Sequence, residues 1–406
     1  MIRGTRHGWR KWLRRTLMSM LVFVLAVLVA AGGYVGYAAI RHAQTITLPA
    51  PTGRYQVGRA TFDWTDHHRT DPLATQPGIP RELSVWLWYP ATGRTSSPPA
   101  PYAPGAWHGL HFPGVPGLGE TSLDAIHTHS HVDAPVAAGR FPIVVLEPGM
   151  GLAAPQFTTI AENVASHGYL VAGVTPTYSA NLTVVHGHAV ASTAAGNPST
   201  FTTAAGNRLV KTWAADARFV SARVVQLDHY GRFADHIDTA RTAYIGHSFG
   251  GASSIQACTT DRHCAGAVDL DGTPFGDVVS RGLDKPLMII ASGDSCVTGT
   301  CHPAGATERH IRRSARSLLA ASTGPTWCYG IKGTQHFNFT DYAAYYLAAP
   351  VRSLVPLGRV DGDRGLMITG SYVTAFLDHI VRDKARPLLT DRSDRYPEVR
   401  TQRSPS

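Results

Sequence analysis

Gly246, His247, Ser248, Phe249 and Gly250 spell GxSxG between a run of strand-forming residues and a stretch of small residues that can start a helix. In that setting a serine stands on a strained strand-to-helix turn. The flanking glycines let neighbouring backbone come close, and the amide of Phe249 falls at a helix N-terminus. A hydroxyl is a weak nucleophile until a base takes its proton, so a histidine has to reach it in the fold. Of the twenty histidines, His336 follows a strand-like run by a few residues, within GTQHFNF, and lies downstream of the serine, in the chain order expected for this turn. The imidazole needs an acid to fix its tautomer. Two aspartates end strand-like runs between Ser248 and His336: Asp271 after Val268 to Leu270, and Asp294 after Ile289 to Ser292. Spacing alone does not choose between them. A tetrahedral intermediate also needs two aligned backbone donors, and Met150, set between Gly149 and Gly151, joins Phe249 as the candidate pair.

These residues have to be held by a framework, and its outline is visible. Ile143 to Leu146 is a continuous apolar run, as suits a strand buried on both faces of a parallel sheet. A Gly-bearing turn, Pro148 to Gly151, follows it. A helical face of Phe157, Ile160, Ala161 and Val164 comes next, stopped at Gly168, and then a strand from Tyr169 to Val174, which completes a βαβ unit. The alternation returns in strand runs at Thr242 to Ile245, Ala265 to Leu270, Pro286 to Ala291 and Thr326 to Ile331, with helical patterns at Arg309 to Ala321 and around Val373 to Ile380. Leu83 to Tyr89 is an earlier strand and Thr95 to Pro116 is loop. The expected architecture is α/β, an open and mostly parallel sheet flanked by helices. Its catalytic domain spans 81–385, after a linker with irregular strands at 41–80. Between 179 and 238 the pattern weakens, and the segment is either a lid or a loosely packed excursion. Residues 386–406 read as a polar tail.

With 406 residues, 44% apolar and 16% charged, the chain can build a substantial core. Thr16 to Ile40 carries no charge and follows six cations, Arg3, Arg6, Arg10, Lys11, Arg14 and Arg15. Such a run is long enough to cross about 30 Å of hydrocarbon. The expectation is an uncleaved anchor (16–40) with a basic cytoplasmic tail (1–15), which sends the rest to the outer side by the positive-inside rule; secretion after signal cleavage is the alternative. Those six charges account for most of the formal +9, leaving +3 elsewhere, and no basic stripe marks a nucleic-acid partner. Cys258 with Cys264, and Cys296 with Cys301, are close enough in sequence to pair as disulfides in an oxidising compartment, leaving Cys328 as a buried thiol. His127, His129 and His131 with Asp133 have alternating spacing, which would put the three imidazoles on one side of a strand as a possible metal site.

From about Leu48 to Val381 the chain resembles the plasma-type platelet-activating factor acetylhydrolases and their bacterial lipase-like relatives. The likeness is carried by RELSVWLWYPA (Arg81 to Ala91), Asp133 to Glu147 leading into PGMG (Pro148 to Gly151), ASHGYLV (Ala165 to Val171), GHSFGGA (Gly246 to Ala252), LDG (Leu270 to Gly272) and GTQHFNFTDY (Gly333 to Tyr342). The resemblance implies an α/β-hydrolase fold and a cofactor-free, metal-independent serine esterase acting through an acyl-enzyme on short or oxidised acyl esters of phospholipids. It implies Asp271 as the acid, with Ser248 and His336. The alternatives are a general carboxylesterase or polyester hydrolase using Asp294, and a catalytically silent lipid- or partner-binding surface protein. Pro148, where the family often has His, and TPTYSAN after Val174, which lacks charges often found there, depart from the pattern.

Overall fold

The computed structural model describes residues 5–93, 96–112, 117–390 and 393–405; Arg3, parts of the Thr95 to Pro116 loop and positions 391–392 of the expected tail fall outside that range. Fourteen strands occur among the described residues: β1 (Ile46–Thr47), β2 (Gln56–Thr70), β3 (Pro80–Ala91), β4 (Pro99–Pro101), β5 (Ile126–Val132), β6 (Phe141–Glu147), β7 (Leu170–Thr175), β8 (Leu182–Val185), β9 (His188–Ala191), β10 (Ile237–His247), β11 (Cys264–Leu270), β12 (Leu287–Ser292), β13 (Thr326–Ile331) and β14 (Val399–Arg403). Twelve form one sheet, in the order β1-β5-β2-β3-β7-β6-β10-β11-β12-β13-β14 with β4 beside β5, while β8 and β9 make a separate hairpin. From β7 to β13 every neighbour is parallel. The antiparallel pairs β2 with β3, β3 with β7 and β13 with β14 flank that block. The helices are α1 (Thr5–Ala43), α2 (Thr158–Ser166), α3 (Thr203–Leu227), α4 (Phe249–Cys258), α5 (Val278–Arg281), α6 (Ala306–Ala321), α7 (Ala349–Arg352) and α8 (Gly362–Arg382).

The continuous apolar runs of the central strands follow from burial on both faces. Successive side chains point to opposite sides of a strand. Val144, Leu146, Ile245, Val268, Leu270 and Ile290 enter one core layer with α2 and α8. Their neighbours Ile143, Val145, Tyr244, Ala267 and Ile289 enter the other with α3, α4 and α6. Helices on both faces of a parallel sheet are the arrangement such strands require.

The 179–238 stretch divides in two. Its largest element is α3, whose Ala214, Ala217, Val220 and Val224 belong to the core. Buried Arg81 fastens α3 to β3: Nη2 lies 2.6 Å from Asp216, and Nη1 lies 2.8 Å from both Asp71 and the Thr177 carbonyl. A buried guanidinium stripped of these partners would carry an uncompensated charge, so removing one is costly. The approach to α3, at Asn197, Pro198, Phe201 and Thr202, and its first residue Thr203 reach the cavity described below.

In place of a polar tail throughout 386–406, the chain buries Leu389 and Tyr396 and then adds β14 to the sheet edge. An exposed edge leaves backbone groups unpaired, and a polar sequence can cover it because the ladder bonds are backbone bonds. Cys258 pairs with Cys264, joining the end of α4 to β11, and Cys296 pairs with Cys301. Cys328 is a free, buried thiol, and burial pushes its pKa up to about 12. Among the described residues one helical stretch, Gly8–Ala43, is long and apolar enough to cross a membrane, and it protrudes from the domain.

Candidate active site

Ser248 sits between the end of β10 and the start of α4 with φ 56° and ψ −121°. A non-glycine residue in that region is strained and is held there by its surroundings. Gly246 and Gly250 show why the turn closes only with glycine: a Cβ on Gly246 would lie 2.1 Å from the carbonyl carbon of Gly250, and one on Gly250 would lie 2.3 Å from the Pro148 carbonyl oxygen. The contact between Gly250 and Pro148 also sets the distance between the serine turn and the loop that carries Met150.

His336 reaches the serine from the segment after β13. Its Nε2 lies 2.9 Å from Ser248 Oγ, and its Nδ1 lies 2.7 Å from Asp271 Oδ2. Asp271, just beyond β11, also accepts from the Ser292 amide at 2.8 Å and the Ser292 hydroxyl at 2.9 Å. Burial pushes the Asp271 carboxyl up, but the hydrogen bond and charge of His336 and the Ser292 amide outweigh it and hold the group below the usual carboxylate range. A carboxylate that only accepts fixes the proton on Nδ1 and leaves Nε2 free to take one from Ser248. Asp294 is exposed on the rim of the same cavity, and His336 bonds to Asp271 and not to it. Met150 and Phe249 line that cavity beside Ser248.

The histidine segment is braced against the Met150 loop by residues to which the sequence reading gave no role. Helix α2 has Phe157 at its N-cap position, with no side-chain cap. The cap comes from far along the chain: Asp341 accepts from the amides of Thr158 at 2.9 Å and Thr159 at 3.2 Å. Gln156 donates to the Tyr342 hydroxyl, and Asn338 Oδ1 accepts from the Gln335 amide at 2.8 Å and the Gly358 amide at 2.7 Å. Thr158 and Thr159 stand at the helix start and read as local caps, so nothing in the sequence announced a distant carboxylate. Two buried acids underlie the turn. Glu147 accepts from Ser253 Oγ at 2.9 Å and Ser254 Oγ at 3.2 Å, Asp269 accepts from the Gly272 amide at 2.8 Å, and burial pushes both well above the usual carboxylate range.

His247, inside the GxSxG turn, was also missed. Its Nε2 lies 2.9 Å from the carbonyl oxygen of His336, which can only accept, so Nε2 carries the proton. Burial, helped by the neighbouring His336, lowers its pKa from 6.5 to about 3. An unfolded chain gains a proton here below 6.5 and the folded chain does not until about 3, so stability is lost as pH falls through that window. The slope is about 1.4 kcal/mol per pH unit. His247→Gln keeps an N–H donor and removes the titration. The stability gap between wild type and variant, from urea unfolding, is expected to shift by about 2 kcal/mol between pH 6.5 and 5. A gap that stays constant would contradict the neutral imidazole.

Parallel strands flanked on both faces by helices, with a strained serine after a central strand and a histidine and aspartate supplied by later loops, define an α/β-hydrolase. Residues 218–386 match the family model of platelet-activating factor acetylhydrolase, isoform II. A probable 1-alkyl-2-acetylglycerophosphocholine esterase of Arthroderma benhamiae is 26% identical over 394 residues, covering 87% of this chain and 92% of that relative. The platelet-activating factor acetylhydrolase of Canis lupus familiaris is 25% identical over 195 residues, covering 41% of this chain and 44% of its own length. The structure of a ferulic acid esterase from Streptomyces cinnamoneus superposes with a TM-score of 0.74 at 28% identity, covering 88% of this chain and 99% of that one. The chain is a serine ester hydrolase that resembles the platelet-activating factor acetylhydrolases.

Proposed function

We propose that Ser248, His336 and Asp271 hydrolyse a carboxylic ester through an acyl-enzyme. Ser248 Oγ attacks the carbonyl carbon while its proton passes to His336 Nε2, and Asp271 orients the ring and stabilises the imidazolium. The amides of Met150 and Phe249 hold the oxyanion. When the tetrahedral intermediate collapses, the alcohol leaves with the proton from His336. Water then attacks the acyl-enzyme by the same route, restoring Ser248 and releasing the acid. The observation that supports this reading is the unbroken line from Ser248 through His336 to Asp271, at 2.9 and 2.7 Å, opening on a cavity of about 1180 Å³.

By likeness to the Arthroderma relative, the substrate class is a glycerophospholipid ester with a short acyl chain. Phe201, Phe249 and Phe275, with ring centroids 5.5 to 5.8 Å apart, give the cavity an apolar wall suited to an acyl group. Likeness to the ferulic acid esterase supports a broader carboxylesterase range as the second reading. Treating purified protein with a fluorophosphonate probe should label Ser248 and stop turnover of p-nitrophenyl acetate. Failure to label would favour a silent binding protein.

The N-terminal helix acts as an uncleaved anchor, with the catalytic domain on the outer side. Helix α1 runs unbroken to Ala43, and its end rests on the domain: Tyr37 meets Tyr346 edge-on at 6.2 Å, and His42 Nδ1 lies 2.7 Å from the Glu120 carbonyl. Two disulfides agree with an oxidising compartment. Full-length protein should therefore stay with membranes through a high-salt wash, because apolar burial and not charge holds it. Mature protein beginning between Tyr37 and Gln44 would show signal cleavage instead.

A further inference from the structure

The cavity above Ser248 has two unlike ends. Met150, Phe201, Phe249 and Phe275 form the apolar end. The other is built at the edge of the sheet, where Lys332, Arg359 and Arg400 line the same cavity with Gln402. Adjacent backbone brings these cations together. Lys332 directly follows β13 and donates its amide to Glu398 just before β14. Arg400 pairs across the ladder with Gly330. Arg359 lies between Gly358, bonded to Asn338 of the histidine segment, and Val360, bonded to the Gly333 carbonyl.

All three cations are exposed to the cavity or to solvent, and none has an ion pair among the described residues. The acid nearest Arg400 along the chain, Glu398, is taken by Arg364 in two bonds of 2.9 Å, and the acid nearest Arg359, Asp361, caps α8 by accepting from the Arg364 amide at 3.0 Å. Two other carboxylates line the cavity away from the triad: Asp294 after β12, and Glu308 of α6, which accepts from the Ala304 amide. Three cations against two acids, with the cations gathered on the β13–β14 edge, make that edge electropositive.

The geometry points to an oxyanion subsite on this edge, which reads a negative charge carried by the ester some distance from the scissile carbonyl. The distance comes from the sheet. Ser248 follows β10 and Lys332 follows β13, three strands away, or roughly 14 Å at the usual strand spacing. The cationic side chains reach back over part of that span, so the charge has to stand several bonds from the ester. An oxyanion at the far end of the acyl chain and a phosphate on a long alcohol portion share this chemistry. The inference rests on the ester-hydrolase reading, and it gives Arg359 and Arg400 a role in specificity with no part in bond making.

The test uses the full-length enzyme and p-nitrophenyl esters matched in chain length, the monoester of nonanedioic acid against the neutral nonanoate, with the monoester of butanedioic acid against butyrate as the short pair. Wild type should favour the charged member of the long pair by about tenfold in kcat/KM at low ionic strength, show little preference in the short pair, and lose the long-chain preference as salt is raised. The double variant Arg359→Gln and Arg400→Gln should abolish that preference mainly through KM, and Asp294→Asn should increase it. A phospholipid arm, comparing dibutyrylphosphatidylglycerol with dibutyrylglycerol, separates the sources: preference there and not in the long acyl pair assigns the subsite to the alcohol side. An equal fall on charged and neutral esters would make the edge merely structural, and a salt-independent ratio that the double variant leaves unchanged would also overturn the inference. Wild type that turns over the neutral esters without preference refutes the subsite alone, whereas wild type that hydrolyses none of them refutes the esterase reading.

Discussion

Ser248→Ala is expected to lower kcat for p-nitrophenyl acetate by about 10⁴-fold or more and to abolish fluorophosphonate labelling, because the attacking oxygen is gone. The fold should survive. Alanine is no larger than serine, and the turn is held by Gly246 packed on Gly250 and by the Ser248 amide bond to the Leu270 carbonyl at 2.8 Å, both of which remain. A thermal midpoint within a few degrees of wild type would separate lost chemistry from lost structure. Unchanged turnover in the purified variant would move the nucleophile elsewhere.

The second large effect distinguishes two aspartates that look equivalent in the sequence. Asp271→Asn should reduce turnover by roughly 10⁴-fold, since an amide at that position no longer fixes the proton on Nδ1 and no longer stabilises the imidazolium. Its neighbours sharpen the cost: the Ser292 amide and hydroxyl both donate toward this position and suit a carboxylate better than an amide. Asp294→Asn should change turnover of a neutral ester by less than tenfold, as expected for an exposed charge on the cavity rim. Steady-state kinetics on both variants decides the matter, and the opposite ranking would give the acid role to Asp294.

Much of this molecule was legible in order along the chain. The apolar runs ending near Leu146, Ile245, Leu270, Ala291 and Ile331 are strands because a doubly buried strand has to be apolar on both faces, a constraint written directly into sequence. The strained turn at Ser248 was legible for a similar reason, since its glycines answer to contacts within a few residues and with the neighbouring strand end. The cysteine pairs, separated by six and five residues, were legible because a short loop brings few partners within reach.

Tertiary structure decided what depends on residues far apart in the chain. Asp271 and Asp294 each end a strand, and only the placement of β11 and β12 relative to the histidine segment puts the first within 2.7 Å of His336 and leaves the second on the rim. Asp341 carries no local sign that it caps a helix more than 180 residues earlier. His247 looks like any residue between Gly246 and Ser248 until burial removes its charge and the His336 carbonyl fixes its tautomer. The same holds for 399–403, whose polar side chains conceal a strand, because an edge strand is held by backbone bonds that every residue except proline can make. The sequence by itself therefore determined the central parallel strands, the serine turn and the candidate histidine, whose signals are local patterns of burial and backbone freedom. Only the folded chain decided which acid faces that histidine, what braces its loop and which charges line the cavity, because those are distances between segments that share no neighbourhood in the sequence.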